Sequence, residues 1–381
     1  MESPWSTRGT RAGCRAARPW VGVAVLLLGV AARSAMLAAQ TSSPAEPAAP
    51  GRLVDIGGQH IHLDCTGAGS PTVLLEAGAG DFAMVWSLVQ PPVSAFTRVC
   101  SYDRGGHAWS DPGTRPRSFA QLALELRRAL RRAGERAPFV LVGQSYGGLV
   151  VRGFAAGYPH DVAGVVLVDA VHEDEHVVYG GEPHRIRDEA RGRIAPPPRL
   201  SLDTALLREA RRDSEEGSGA GAADLEPPLR QLPDSVQRLW RWAASKPLHR
   251  LAWAAEMDWS PEELARMHEA RLRDRASLGD VPLEVLARAR GDFPEGMRIS
   301  ADSLERERRG LQADLAALSH AGRLVFATRS GHNIQLEEPA LVVEAVRSVV
   351  EQARRCEARA GARCTVGSAP RATAGARSGV Q

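Results

Sequence analysis

The chain has 381 residues, of which 44% are hydrophobic and 24% are charged. This balance is typical of globular proteins and excludes wholesale disorder and collagen-like repeats. Its net charge of +3 comes from the ends: residues 1–39 hold five Arg against one Glu, and residues 357–381 hold four Arg against one Glu. Residues 40–356 therefore carry a net charge of −4. A nucleic-acid-binding domain concentrates basic residues on its folded part, so we predict no nucleic-acid partner.

The N-terminal segment has the three parts of an export signal. An Arg-containing start precedes an apolar run from Trp20 to Ala32, and small residues follow. We therefore predict that residues 1–39 are a signal peptide and that the protein is exported, either secreted or periplasmic. The alternative is a membrane anchor formed by residues 20–39, because no strict small-x-small cleavage triplet is present. The apolar run is nevertheless 13 residues long, shorter than the ~20 residues of a spanning helix.

Strands alternate with helices along the central part of the chain, which predicts an α/β fold with a mostly parallel sheet covered on both faces. We assign residues 52–171 and 281–356 to this core. Residues 40–51 are predicted to be a linker and residues 357–381 a disordered tail. The predicted strands are Arg52–Ile56, His60–Cys65, Thr72–Glu76, Thr97–Tyr102, Pro138–Val142, Val162–Val168, Pro282–Ala287 and Leu324–Thr328.

Three core helices have clear sequence signals. Ser118 and Gln121 have the spacing of a capping box, and Gly134 ends the apolar stripe that follows. Further helices are predicted to begin at Tyr146 and at Pro339.

Residues 172–280 interrupt the strand–helix alternation and are predicted to form a helical cap inserted into the sheet domain. This segment is rich in Arg and Glu and holds four Trp residues within twenty positions. Such a density of large aromatic side chains favours packing against an apolar partner or a substrate rather than a solvated insertion. The four are Trp240, Trp242, Trp253 and Trp259.

The strongest chemical signal is the Gly-x-Ser-x-Gly pattern around Ser145. The pattern lies where a predicted apolar strand meets a predicted helix, the context in which a tight turn projects a nucleophilic Ser above a sheet. Gly143 and Gly147 remove side chains that would clash across that turn. We predict that Ser145 is a catalytic nucleophile.

A Ser hydroxyl needs a base to become a good nucleophile, and the base needs an orienting acid. His332 follows the last predicted strand and precedes the last helix, so it should lie at the sheet edge where Ser145 projects. Two carboxylates are alternatives for the acid. Asp169 directly follows the strand after the nucleophile's helix, whereas Asp292 lies in a loop past the next core strand. We favour Asp169, because a strand-end carboxylate is held more rigidly than one on a loop.

Two backbone N–H groups are predicted to form an oxyanion hole. The first is that of Tyr146, at the start of the helix after the nucleophile. The second is that of Ala79, in the Gly-rich loop after the third predicted strand, where glycines let the backbone approach a reacting oxygen.

These residues together resemble the α/β-hydrolase fold superfamily, in particular its capped serine esterase and aminopeptidase-like branch. The resemblance runs from about residue 52 to residue 353 and includes the chain order of Ser145, acid and His332. It also includes the segment Glu76–Gly80 at the oxyanion loop and the segment Tyr102–Asp111 after the fourth strand. The resemblance implies an eight-stranded sheet with a cap between its sixth and seventh strands.

The resemblance leaves the acid undecided, because members of the superfamily use both the Asp169 and the Asp292 positions. Ser at position 145 argues against haloalkane or epoxide chemistry, for which relatives use a carboxylate nucleophile. Two residues depart from the usual pattern. Ala77 stands where many members have the His of a His-Gly pair, and Ala108 stands where relatives often have Gly.

Four cysteines follow the leader, which itself contains Cys14. An even number in an oxidising compartment permits two disulfides. The usual strand order of the superfamily places the second strand beside the fourth, and this implies a Cys65–Cys100 disulfide. A Cys356–Cys364 disulfide is the second expectation.

The sequence therefore predicts a serine hydrolase that cleaves a carboxylic ester or related acyl bond of a small molecule through a Ser-His-Asp triad. Aminopeptidase, lactonase or cofactor-free peroxidase activity on the same triad is the alternative, and a non-catalytic binding module is another. No cofactor and no metal are expected, since no ligand spacing suggests either.

Overall fold

The structure is a computed structural model and describes residues 46–216, 225–289, 291, 293–294 and 296–360. The predicted leader, the alternative acid Asp292 and the cysteine Cys364 lie outside the described residues. The chain contains ten described strands. They are β1 (Arg52–Asp55), β2 (His60–Thr66), β3 (Thr72–Glu76), β4 (Val99–Tyr102), β5 (Phe139–Gln144), β6 (Val162–Val168), β7 (His176–Tyr179), β8 (Glu182–Arg185), β9 (Leu283–Arg288) and β10 (Gly322–Ala327).

Eight of these strands form one sheet in the order β1-β2-β4-β3-β5-β6-β9-β10. Strand β2 runs antiparallel to β1 and β4, and every other neighbouring pair in the sheet is parallel. All eight strands were predicted, β1 and β2 from the hairpin signal Gly57-Gly58 between them and the others from their strand-like runs. The prediction of a mostly parallel eight-stranded α/β-hydrolase sheet is therefore confirmed.

Helices cover both faces of the sheet. One face carries α2, α3 and α7, and the other carries α1 and α9. Among the helices of the described ranges, none is both long and apolar enough to cross a membrane. The helices are α1 (Gln90–Ser94), α2 (Phe119–Ala133), α3 (Tyr146–Gly157), α4 (Thr204–Glu215), α5 (Asp234–Ala244), α6 (Pro247–Arg273), α7 (Ala301–Ala316), α8 (Ile334–Glu337) and α9 (Pro339–Ala360).

Helix α2 begins and ends at the residues that its sequence indicates. The Ser118 hydroxyl accepts a hydrogen bond from the Gln121 backbone N–H, and Gly134 ends the helix in the left-handed region with φ = 82°. The capping box is only half formed, because the Gln121 side chain donates to Glu125 and to the Arg199 carbonyl instead of returning to the helix start. Helix α9 begins at Pro339 as predicted and runs to Ala360, past the predicted start of the tail.

The chain between β6 and β9 contains an element that the sequence reading did not predict. Before the helices α4, α5 and α6, the strands β7 and β8 pair as an antiparallel hairpin. Its turn is Gly180-Gly181, and both glycines have positive φ, of 60° and 81°. Two consecutive residues with positive φ are what a tight hairpin turn requires. The Gly-Gly pair was therefore an available signal for a hairpin within an otherwise helical segment.

Aromatic side chains of this insertion pack against the sheet domain. The Trp242 and Trp109 rings lie 5.0 Å apart, and Trp240 meets Phe82 edge-on at 5.9 Å. Trp253, by contrast, keeps 44% of its surface exposed. Trp240 and Trp242 therefore anchor the insertion to the sheet domain, whereas Trp253 remains accessible.

A disulfide joins Cys65 and Cys100, which lie opposite each other in the β2–β4 pairing. This confirms the pairing that the family's strand order implied. Cys356 is also disulfide-bonded, and its predicted partner Cys364 is outside the described residues.

Candidate active site

Ser145 occupies a sharp turn between β5 and α3. Its φ of 52° and ψ of −121° lie in a region that side-chain-bearing residues rarely adopt. The flanking glycines are required sterically. A Cβ on Gly143 would lie 2.5 Å from the Gly147 carbonyl oxygen, and a Cβ on Gly147 would lie 2.5 Å from the Glu76 carbonyl oxygen. The turn therefore projects Ser145 above the carboxyl edge of the sheet, as the nucleophile-elbow pattern predicts.

The structure brings Ser145, His332 and Asp169 into one hydrogen-bonded line. The Ser145 Oγ and the His332 Nε2 are 2.9 Å apart, and the His332 Nδ1 and the Asp169 Oδ2 are 2.6 Å apart. His332 comes from the loop between β10 and α8, and Asp169 from the end of β6. Both distances are within hydrogen-bonding range for a nucleophile, a base and an orienting acid.

Strand register explains why Asp169 lies beside Ser145. In the parallel pairing of β5 with β6, Gln144 is opposite Val168. The next residues along the two strands are Ser145 and Asp169, so both emerge at the same edge of the sheet. His332 follows the edge strand β10, and its ring lies within hydrogen-bonding distance of both Ser145 and Asp169.

Asp169 is 5% exposed and is surrounded by cationic and donor groups. The Arg288 backbone N–H donates to it at 3.0 Å, while the guanidinium groups of Arg288 and Arg308 lie at 3.2 Å and 3.8 Å. Burial alone would raise the pKa of Asp169, but the hydrogen bond from His332 and the Arg288 charge outweigh it and hold the pKa below its usual value. A carboxylate that stays ionised is suited to orient an imidazole. Asp292 lies outside the described residues.

The two predicted oxyanion donors flank Ser145. Tyr146 is the first residue of α3, and Ala79 lies on the wall of the cavity that contains Ser145. Among the described residues, neither backbone N–H has a hydrogen-bond acceptor. This loop passes close to Ser145 at Gly78, where a Cβ would lie 3.4 Å from the Ser145 Cβ and 2.4 Å from the Gln144 Oε1.

A buried arginine holds the oxyanion loop from behind. Arg104 donates to the carbonyl oxygens of Ala77 and Gly78, both at 2.9 Å. It also forms ion pairs with Glu76 at 2.7 Å and with Glu256 of α6 at 2.9 Å. These bonds hold two successive carbonyl oxygens of the loop in place. One side chain thus joins β3, the oxyanion loop and the inserted helix.

Two buried histidines complete this cluster. The His107 Nδ1 is 2.8 Å from the His249 Nδ1, and the His107 Nε2 is 3.3 Å from Glu256. Burial is the main cause that lowers the pKa of His107, and it lowers that of His249 to about 3. Both imidazoles are therefore neutral near pH 7.

We expect Arg104→Met to lower the free energy of unfolding by about 3–5 kcal/mol, because it leaves Glu76 and Glu256 buried without their cation. Arg355→Met is the matched control: its pair with Glu351 is solvent-exposed, so its loss should change stability by less than about 1 kcal/mol. Urea unfolding followed by circular dichroism measures both. A loss below 1 kcal/mol for Arg104→Met would contradict the role given to the cluster.

Ser145 opens on a cavity of about 510 Å³ between the sheet edge and the insertion. A second cleft of about 260 Å³ lies on the other side of Ser145 and is bordered by Asp169, Arg288 and the β7 strand. The site therefore has room on two sides of Ser145. The larger cavity is lined by Gly78, Ala79, Gly80, Asp81, Gln144, Ser145, Glu226, Leu229, Trp240, His249, Trp253, His332 and Asn333.

The family model for the alpha/beta hydrolase fold matches residues 71–339. The chain belongs to the α/β-hydrolase family. The match contains β3, Ser145, Asp169 and His332, and it ends at the start of α9.

Several relatives of this α/β hydrolase have been described. An AB hydrolase superfamily protein of Gibberella zeae is 27% identical over 305 residues, covering 74% of this chain and 87% of that protein. The 2-hydroxy-6-oxo-2,4-heptadienoate hydrolase of Pseudomonas putida is 35% identical over 136 residues, covering 32% of this chain and 45% of that enzyme. Among solved structures, an esterase from Thermogutta terrifontis superposes with a TM-score of 0.52 at 19% identity, covering 82% of this chain and 96% of that one.

Sequence reasoning missed three features of this α/β hydrolase. Arg104 was quoted only as part of a family motif, and its pairing with Glu256 joins residues 152 positions apart, which no local pattern reveals. Asp81 and Glu226 line the Ser145 cavity but were not singled out. The position of Asp81, directly after the Gly-rich oxyanion loop, was the available signal for one of them.

Proposed function

We propose that this α/β hydrolase is a serine hydrolase that cleaves a carboxylic ester or related acyl bond of a small molecule. The observation that carries the proposal is the continuous line of hydrogen bonds from Ser145 through His332 to Asp169. Family membership supports hydrolytic chemistry, and the cavity beside Ser145 supports a small substrate.

The proposed reaction has two halves. In the first, the Ser145 Oγ attacks the acyl carbon while its proton moves to the His332 Nε2, and the carbonyl electron pair moves onto the oxygen. The tetrahedral intermediate then collapses, and the leaving alcohol departs with the proton from His332. In the second half, water gives a proton to His332 and attacks the acyl-enzyme. The proton returns to Ser145 as the carboxylic acid leaves.

The other groups of the site support the charges that develop. The N–H groups of Tyr146 and Ala79 would donate to the oxyanion, which is worth most in a site that excludes water. Asp169 keeps the His332 Nδ1 protonated, so that Nε2 is the nitrogen that accepts the Ser145 proton. No step in this scheme needs a cofactor.

We also propose that the protein acts outside the cytoplasm. The disulfide between Cys65 and Cys100 supports an oxidising compartment. The leader-like pattern of residues 1–39 supports export.

A panel of chromogenic substrates tests the proposal. We expect the purified protein to hydrolyse p-nitrophenyl esters of short acyl chains, and aminoacyl anilides and lactones in the same panel identify the alternative activities. Peroxidase activity is assayed in parallel. Turnover of none of these by folded protein would contradict the enzymatic proposal and favour a binding module.

A further inference from the structure

We propose that the cavity beside Ser145 binds the ammonium group of a positively charged ester or acyl substrate. The group would lie between the carboxylates Asp81 and Glu226 and the indole rings of Trp240 and Trp253. This inference rests on the proposed function and names the substrate class for the same site.

The wall of this cavity carries negative charge. Asp81 and Glu226 are its acidic residues, and among the described residues that line it there is no Arg or Lys. Within the same part of the chain, neither carboxylate forms an ion pair. Asp81 is partly shielded from water, and a carboxylate so shielded without a cationic partner is unfavourable. A positively charged ligand would supply that partner, and the exposed Glu226 would add a second negative charge at the cavity wall.

Asp81 is held in place to meet such a ligand. The Trp240 Nε1 donates to its Oδ1 at 3.3 Å, and its own backbone N–H donates to the Gly78 carbonyl at 3.3 Å. Desolvation raises the pKa of Asp81 to about 6, and a bound cation would relieve that cost. Asp81 is two residues beyond Ala79, so their Cα atoms are at most roughly 7 Å apart. A substrate whose carbonyl oxygen reaches the Ala79 N–H therefore has its neighbouring atoms beside Asp81.

The aromatic part of the wall suits the same group. Indole faces attract ammonium groups more strongly than other aromatic side chains do. Trp253 remains 44% exposed and rests against Gly80, where a Cβ would lie 3.5 Å from the indole. Trp240 is fixed by Phe82 on one side and by its bond to Asp81 on the other. Two indoles and two carboxylates around one cavity form an acceptor for an alkylammonium group.

The charges behind the wall do not reverse this polarity. Arg104 is paired with both Glu76 and Glu256, so that cluster carries a net negative charge. His249, which lines the cavity, has its pKa lowered to about 3 by burial and is neutral. Arg288 borders the other cleft, where it lies against Asp169.

The contribution of an ammonium group to turnover can be measured with pairs of nearly isosteric esters, one charged and one neutral. Acetylthiocholine and 3,3-dimethylbutyl thioacetate differ only in carrying a quaternary nitrogen or a carbon on the leaving side. Glycine benzyl ester and benzyl propionate differ on the acyl side, where the first carries a primary ammonium group and the second a methyl group. The measured quantity is the ratio of kcat/KM for the charged member to that for the neutral member. Comparing this ratio between variants cancels the intrinsic reactivity of the esters.

Asp81→Asn keeps the shape of the side chain and its acceptor for Trp240 but removes the charge. We expect it to lower the charged-to-neutral ratio about tenfold in at least one pair. Glu226→Gln, at an exposed position, should lower the ratio in the same pair by a smaller factor. Asp280→Asn is the control, since its side chain is 63% exposed and pairs with His320 away from the cavity. Its ratio should equal that of the wild type.

A competition experiment measures binding of an ammonium ion without any turnover. Tetramethylammonium should slow fluorophosphonate labelling of the wild type and should slow that of Asp81→Asn several-fold less. Labelling together with unchanged ratios in both pairs would overturn the ammonium inference while leaving the serine-hydrolase proposal intact. Absence of both labelling and turnover on folded protein would overturn the proposed function, and this inference with it.

Discussion

Replacing Ser145 with alanine should lower kcat for the best ester of the panel by about 10⁵-fold or more, because no other group can form the acyl-enzyme. Alanine removes the Oγ that lies 2.9 Å from the His332 Nε2 and leaves the turn otherwise unchanged. Residual turnover would come from bound water and the oxyanion donors. Initial rates with purified wild type and variant give the comparison.

Ser214→Ala is a matched control, because that serine is an exposed residue of α4. It should retain wild-type kcat and KM. Thermal unfolding shows that Ser145→Ala is folded. If that folded variant kept more than about a tenth of the wild-type rate, Ser145 would not be the nucleophile.

Replacing Asp169 with asparagine should lower kcat by about 10³–10⁴-fold. The Asn amide can donate to the His332 Nδ1, and the imidazole would then carry its proton on Nε2. A protonated Nε2 cannot accept the Ser145 proton. The loss comes from the changed tautomer of His332, because Asn and Asp have nearly the same shape. The variant should therefore keep its fold. Its reactivity towards the fluorophosphonate should fall together with kcat.

Asp292→Asn provides the opposing test, since both positions were open on sequence grounds. We expect Asp292→Asn to stay within a few-fold of the wild-type kcat. A large loss at Asp292 together with a small loss at Asp169 would transfer the acid role to Asp292.

Local sequence signals were enough to predict the sharp turn at Ser145 and the strands of the sheet. Gly143 is required by a contact with Gly147 inside the turn, and Gly147 by the carbonyl oxygen of Glu76 on the neighbouring strand. Because both glycines belong to the short Gly-x-Ser-x-Gly pattern, the turn around Ser145 can be predicted directly from the sequence. Buried parallel strands are apolar on both faces, which is why β3, β4, β5, β6 and β9 were recognisable. Strands β1 and β2 were instead indicated by the hairpin signal Gly57-Gly58 between them. The hairpin β7–β8 was missed because its strands are short, part-exposed and embedded in a charged segment.

Features that depend on long-range register were less accessible. From the sequence, Asp169 was preferred to Asp292 only because a carboxylate at a strand end is held more rigidly. In the structure, the β5–β6 register places Asp169 directly beside Ser145. The pairing of Arg104 with Glu256 and the gathering of Asp81, Trp240 and Trp253 around one cavity arise only when the insertion folds back over the sheet. A single sequence lists these residues but does not bring them together.

The most direct test of the account is to map the adduct of a fluorophosphonate probe on the wild-type protein. The account predicts one adduct per chain, located by peptide mass spectrometry on Ser145 and absent from Ser145→Ala. An adduct on another residue, or no adduct on folded protein, would contradict it.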